Sequence, residues 1–146
     1  MLHICLIEIT YHISQLDKVA EHLWREHKDK RIWAVYSPMG AGKTTLIKEL
    51  CNKLLSCKWT VSSPTFAIVN EYVSPSEGNI FHMDWYRLAD EQEIVAAGVE
   101  ETLNSGARCF VEWPERAPML LPKDALLLQI DILPVDERRV FDKSPE

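Results

Sequence analysis

The chain has 146 residues, 47 % of them apolar and 26 % charged, with a net charge of −6 and a pI near 5.4. Such a length fits one domain with a single core, expected over residues 1–142 with a loose tail at 143–146. The acidic balance excludes global electrostatic attraction to DNA or RNA, and the absence of a signal-like or membrane-length apolar run points to a cytoplasmic protein.

In chain order, the first strand is expected over His3–Ile9. A helix follows, with Ser14 as N-cap, Asp17 three residues on, and an apolar stripe of Leu16, Val19, Ala20, Leu23 and Trp24 at a 3.6-residue period. Arg31–Tyr36 reads as a strand and Lys43–Leu55 as a helix with Leu46, Ile47, Leu50, Cys51 and Leu54 turned inward. Two β-rich runs, Phe66–Val73 and Asn79–Tyr86, flank a hairpin loop at Ser74–Asn79. Asp90 is expected to cap a short helix that Gly98 stops, with a second short helix over Val99–Asn104. Arg108–Trp113 is a buried strand, Pro114–Pro122 mostly loop, and Ala125–Leu133 and Arg138–Asp142 the last strands. Strands alternating with helices around a central loop predict an α/β, P-loop NTPase-type three-layer fold with a mixed, partly parallel β-sheet.

The most informative residues are Gly40-Ala41-Gly42-Lys43-Thr44-Thr45, between a strand and a helix. Glycines let consecutive backbone N–H groups face a phosphate, the helix N-terminus adds partial positive charge, and a lysine reaches the β/γ oxygens. Ser37 stands where the full pattern has its first glycine, and Pro38 holds that position extended. The loop from Ser37 through Met39 and Gly40 to Thr45 is the candidate ATP site, and the hydroxyl of Thr44 a candidate Mg2+ ligand. Adenine contacts are placed at two strand ends, Thr10 and Pro134.

A phosphate-binding loop needs an acid at a strand end to organise the metal or the attacking water. Asp84 and Glu112 both qualify, Glu112 after the more apolar run. Thr65, after the helix, is either a switch hydroxyl or part of an ordinary turn. Trp113 is either an exposed contact or a lid. Cys5, Cys51, Cys57 and Cys109 form no metal-ligand spacing; all but Cys57 sit in apolar runs and read as core. The basic clusters Lys28-Asp29-Lys30-Arg31 and Arg138-Arg139 read as solvated ends.

Four motifs occur in order: Gly40-Ala41-Gly42-Lys43-Thr44-Thr45, Ser63-Pro64-Thr65-Phe66, His82-Met83-Asp84-Trp85-Tyr86-Arg87-Leu88 and Glu112-Trp113-Pro114-Glu115. With them nearly the whole chain resembles the TsaE (YjeE) family, small bacterial ATPases of tRNA threonylcarbamoyladenosine biosynthesis. It departs at Ser37 and Pro38, where the family usually has Gly and an acidic residue. The resemblance implies an ATP- and Mg2+-using partner of the TsaD and TsaB proteins that permits repeated turnover, meeting tRNA only through that complex. It further implies that Lys43 binds phosphate and Thr44 and Glu112 bind the metal. Asp84 becomes a second metal-shell or catalytic acid, Thr65 a switch residue, and Trp113 a nucleotide-responsive contact; Arg116 in the loop after it joins Trp113 as the expected contact to TsaD. The rivals are a small-molecule P-loop kinase, whose lid would need Arg87, Arg108 or Arg116, and a non-hydrolysing nucleotide-sensing module. A GTPase is disfavoured, since Asn52-Lys53 does not continue as N-K-x-D.

Overall fold

The computed structural model describes residues 7–54, 69–86 and 93–143. The expectations for Thr65 and its Ser63–Phe66 segment, for Arg87, for an Asp90 cap, for Cys5 and Cys57 and for residues 144–146 lie outside them. One seven-stranded sheet contains β1 (Glu8–His12), β2 (Ile32–Tyr36), β3 (Val69–Ser74), β4 (Gly78–Asp84), β5 (Arg108–Glu112), β6 (Leu126–Leu133) and β7 (Glu137–Asp142), in the order β1-β7-β6-β2-β5-β4-β3. The inner strands β6, β2, β5 and β4 run parallel, while β1, β7 and β3 are joined antiparallel at the margins. Parallel inner strands are covered on both faces and so read as continuous apolar runs, which is why β2 and β5 are buried almost throughout.

Helices α1 (Leu16–His27) and α2 (Lys43–Glu49) lie on one face, where Val19, Ala20, Leu23, Leu46, Ile47, Leu50 and Cys51 meet Trp33, Val35 and Phe110. On the other face Val99 and Leu103 of α3 (Glu93–Leu103) pack with Ile32, Ala34, Met83, Cys109 and Val111. Alternation along β2 and β5 therefore assigns every second side chain to one layer. Burial pushes the Cys109 thiol up to about 12, as befits an inert core cysteine.

Several local expectations are corrected. Of the strand expected over His3–Ile9, residues 3–6 lie outside the described residues. The described strand is Glu8–His12, ending three residues further on than Ile9, because it is the alternation ending in buried Tyr11 that pairs with β7. Ser14 is not the N-cap. The chain first makes a 3-10 turn at Ile13–Gln15, where His12 Nδ1 accepts from the Ser14 amide (3.1 Å) and Gln15 Oε1 from the His12 amide (2.9 Å). Gly98 does not stop a helix: α3 runs through it, at a cost of about 1 kcal/mol that burial of Val99 and Leu103 offsets. The phosphate-loop helix ends as α at Glu49 and continues as a π-helical turn over Leu50–Leu54. Pro114–Arg116 and Pro118–Leu120 are 3-10 turns. Lys143 is anchored, its amide donating to Leu127 O (2.8 Å) and its ammonium 4.1 Å from the Tyr36 ring centroid.

Candidate functional site

β2 ends at Tyr36 in the middle of the sheet, and the loop from Ser37 to Gly42 returns the chain into α2. Gly40 and Gly42 hold φ of +83° and +99°, and a Cβ at either would meet nothing within 4 Å. Glycine is needed there for backbone conformation, not for space. Ser37, the departure from the glycine pattern, is buried, and its hydroxyl donates to Pro38 O (3.0 Å). The Ala41 amide closes the turn on the same carbonyl. Met39 is exposed at the crest of the loop.

Lys43 opens α2 and is only 6 % exposed. Its ammonium donates to Ser37 O (3.4 Å) and stands 3.6 Å from the centroid of the Trp113 ring. Burial lowers the Lys43 pKa, and the carboxylates of Glu112, Glu115 and Asp84 oppose that shift. One residue on, Thr44 Oγ1 donates to Glu112 Oε1 at 2.8 Å.

Parallel pairing of β4 with β5 sets Asp84 beside Glu112 at the two strand ends. Both acids proposed from sequence thus stand next to one another, on the face that carries α2. Burial raises the Asp84 pKa; the Tyr86 amide, donating to Oδ1 at 2.9 Å, opposes it, and the Glu112 charge adds to it. The second Glu112 oxygen, Oε2, is hydrogen-bonded to His82 Nε2, and the imidazole is fully buried. Nothing in the sequence analysis assigned His82 a part. The period-two position before Asp84 was the available signal.

After Glu112 the chain turns sharply, with Trp113 in the left-handed region (φ 59°, ψ 47°). Its ring meets Tyr86 edge-on with centroids 5.0 Å apart, and the Arg116 guanidinium lies 4.6 Å from the Tyr86 ring. Lys43, Trp113, Tyr86 and Arg116 therefore form one stack from the phosphate loop to the surface. Trp113 is half-buried and Tyr86 42 % exposed.

A cleft of about 570 Å3 opens beside the loop, lined by Tyr11, Ile13, Leu16, Gly40, Thr45 and Arg138, among others. Its size suits a small-molecule ligand. Neither Thr10 nor Pro134 lines it. Thr10 faces a smaller groove with Lys18 and His22, and Pro134 is exposed in the β6–β7 turn. Arg138 is not a solvated end: its Nε donates to Ala41 O (3.3 Å) and it reaches the cleft because β7 pairs with β1 opposite Tyr11. Arg139 binds Asp131 (2.7 Å), and Arg31 binds Glu77 (3.2 Å). Among the described residues no helix is long and apolar enough to cross a membrane.

Residues 10–140 match the family model of "Threonylcarbamoyl adenosine biosynthesis protein TsaE". The tRNA threonylcarbamoyladenosine biosynthesis protein TsaE of Haemophilus influenzae is 36 % identical over 115 residues, covering 78 % of this chain and 72 % of that protein. The protein of the same description from Aquifex aeolicus is 34 % identical over 126 residues, 84 % of each chain. The crystal structure of Bacillus subtilis YdiB shares the fold, with a TM-score of 0.68 at 23 % identity over 97 % of this chain and 87 % of that one. A glycine loop, its lysine and threonine, and two strand-end acids thus sit in a chain that belongs to the TsaE family of tRNA threonylcarbamoyladenosine biosynthesis proteins.

Proposed function

We propose that the chain binds and hydrolyses ATP with Mg2+, and that it does so as an accessory to the TsaD and TsaB proteins in tRNA modification. The observation that carries this reading is the 2.8 Å contact between Thr44 and Glu112 beneath the buried Lys43. It joins the first turn of α2 to the strand-end acid across the sheet. A hydroxyl and two carboxylates, Thr44, Glu112 and Asp84, are the hard oxygen donors that Mg2+ takes. An ion held by these few side chains would draw its remaining ligands from phosphates and water.

In this reading the amides of residues 40–44 and the Lys43 ammonium bind the phosphates of ATP. Thr44 and Glu112 would hold Mg2+, which when bound neutralises charge on the phosphate oxygens. Asp84, whose carboxyl is held above its ordinary range by burial, is the proposed acid that orients the attacking water. The cleft beside Gly40 and Thr45 receives the nucleoside, between Tyr11, Leu16 and Arg138. Thr65 keeps its proposed role as switch hydroxyl. Trp113 and Arg116 are the proposed contacts to TsaD: an aromatic–arginine stack with an exposed Tyr86 face has the residue types that anchor protein interfaces. The acidic chain then meets tRNA only through the complex, in the cytoplasm. Kinase chemistry is less well supported. Arg108, one of three arginines a lid would draw on, is buried against Glu77 and the carbonyls of Lys28 and Lys30.

Phosphate release from ATP, measured with and without TsaD and TsaB and with and without Mg2+, tests the proposal. Metal-dependent release that the partners accelerate is expected. ATP bound but never hydrolysed under any of these conditions would leave a nucleotide-sensing module instead. Phosphorylation of an added metabolite would make it a kinase.

A further inference from the structure

We propose that His82 is a positioning residue for the metal-side carboxylate of Glu112; the inference rests on the reading of Glu112 given above. His82 lies on β4, two residues before Asp84, so its side chain points to the same face as Asp84 and Glu112. It is 0 % exposed, and Glu112 is 3 % exposed. The imidazole is the only group, besides the Thr44 hydroxyl, that the described residues hydrogen-bond to this carboxylate.

A carboxylate only accepts, so the hydrogen in the His82–Glu112 contact belongs to Nε2. Among the described residues the opposite ring nitrogen, Nδ1, is buried with no hydrogen-bond partner. A buried polar atom left unpaired costs about 1–3 kcal/mol. A histidine kept for packing alone would be replaced at lower cost by Leu or Phe. What the imidazole provides, and an apolar ring does not, is a rigid N–H at the level of Oε2. With Oε2 tied to β4 and Oε1 tied to Thr44, rotation of the carboxyl about its last bond is blocked from both sides. The carboxylate is thereby held ready for a metal at the head of α2. Outer hydrogen bonds of this kind typically change metal affinity or activity about 10–100-fold.

Two amide variants separate positioning from packing. His82→Gln places its side-chain N–H near the level of the ring Nε2, whereas His82→Asn places it near Nδ1, short of Glu112. Both are polar and both leave the strand without the ring. ATP affinity is measured by calorimetry in EDTA and in Mn2+, with Mn2+ binding followed independently by electron paramagnetic resonance and folding by thermal melts. We expect ATP binding in EDTA to match wild type in both variants. The affinity gain on adding Mn2+ should fall about tenfold in His82→Asn and return to within about threefold of wild type in His82→Gln. Equal metal-linked affinities in the two variants, at equal melting temperatures, would overturn the positioning role. Glu112→Ala serves as the reference. If it keeps the full Mn2+ gain, the reading of Glu112 itself fails; if it loses the gain while both His82 variants keep it, this inference alone fails.

Discussion

The ammonium of Lys43 cannot rest on the Trp113 face and also lie between phosphate oxygens without moving, so ATP and Trp113 should compete for it. The contact is close, 3.6 Å to the ring centroid, and Lys43 is only 6 % exposed. A cation over tryptophan is worth about 0.5–1 kcal/mol when exposed and about 2 when desolvated, so this one belongs near the upper figure. If the whole contact is given up on binding, removing it tightens ATP by about five- to thirty-fold, at about 1.4 kcal/mol per tenfold. Trp113→Leu is the perturbation, because it deletes the ring face yet keeps apolar bulk at a half-buried position. Calorimetric titration with ATP reads the affinity. Intrinsic fluorescence supplies a second signal, since withdrawal of the ammonium from the indole should change wild-type emission and the variant should lose most of that change. An unchanged Kd would refute the competition, meaning that Lys43 keeps the ring while it binds phosphate. A weaker Kd would refute it differently, by making Trp113 a nucleotide contact.

Three further variants test the rest of the site. Lys43→Ala should abolish measurable ATP affinity while the far-ultraviolet spectrum stays that of a folded protein; ATP binding like wild type would remove the phosphate-loop reading. Arg138→Ala should weaken ATP about tenfold by calorimetry, because it removes the donor to Ala41 O and the cation lining the cleft, whereas Thr10→Ala and Pro134→Ala should change it less than twofold. Asp84 binds its proton more tightly in the folded protein than in the unfolded chain, since burial raises its pKa above 3.8. Folding stability should therefore fall as pH rises through the interval just above 3.8. Asp84→Asn should remove that loss, raise the melting temperature of the nucleotide-free protein at neutral pH, and slow hydrolysis far more than it weakens ATP binding. A melting temperature unchanged or lowered by this substitution would contradict the desolvation argument.

What the sequence disclosed follows from which properties reside in single residues. Positive φ at Gly40 and Gly42 and the charge of Lys43 are set by residue type, so the loop was legible from its letters. The inner strands were legible because burial on both faces leaves an unbroken apolar run. Other features depend on partners distant in the chain. Arg138 enters the cleft only through β1–β7 pairing, a register that no local pattern encodes, and the same pairing decides which residues of the first strand count. His12 displaced Ser14 as a cap because a ring nitrogen accepts as well as a hydroxyl does, a competition that residue preferences at helix starts do not rank. His82 was given no role because no local pattern shows which strand-end group it would meet. Its partner Glu112 lies on the neighbouring strand, 30 residues further along the chain.

That partner also explains why the free site is already arranged for its proposed task. Thr44 donates its single hydroxyl hydrogen to Glu112, which leaves both lone pairs of Oγ1 unused by that bond. Coordination through a lone pair requires no break in the Thr44–Glu112 contact. His82 likewise occupies one direction of approach to Oε2 and leaves the carboxylate further acceptor capacity. A metal arriving with ATP would therefore meet ligands whose orientation was fixed during folding. Lys43 is the exception, since its ammonium rests on Trp113 and is the group expected to move if it is to bind phosphate. Preorganised oxygen ligands beside a mobile cation divide the work sensibly. In the proposed reaction the metal side needs fixed geometry to stabilise charge that develops in the transition state, while movement of Lys43 from Trp113 would give the Tyr86–Arg116 end of the stack a way to register that nucleotide is bound.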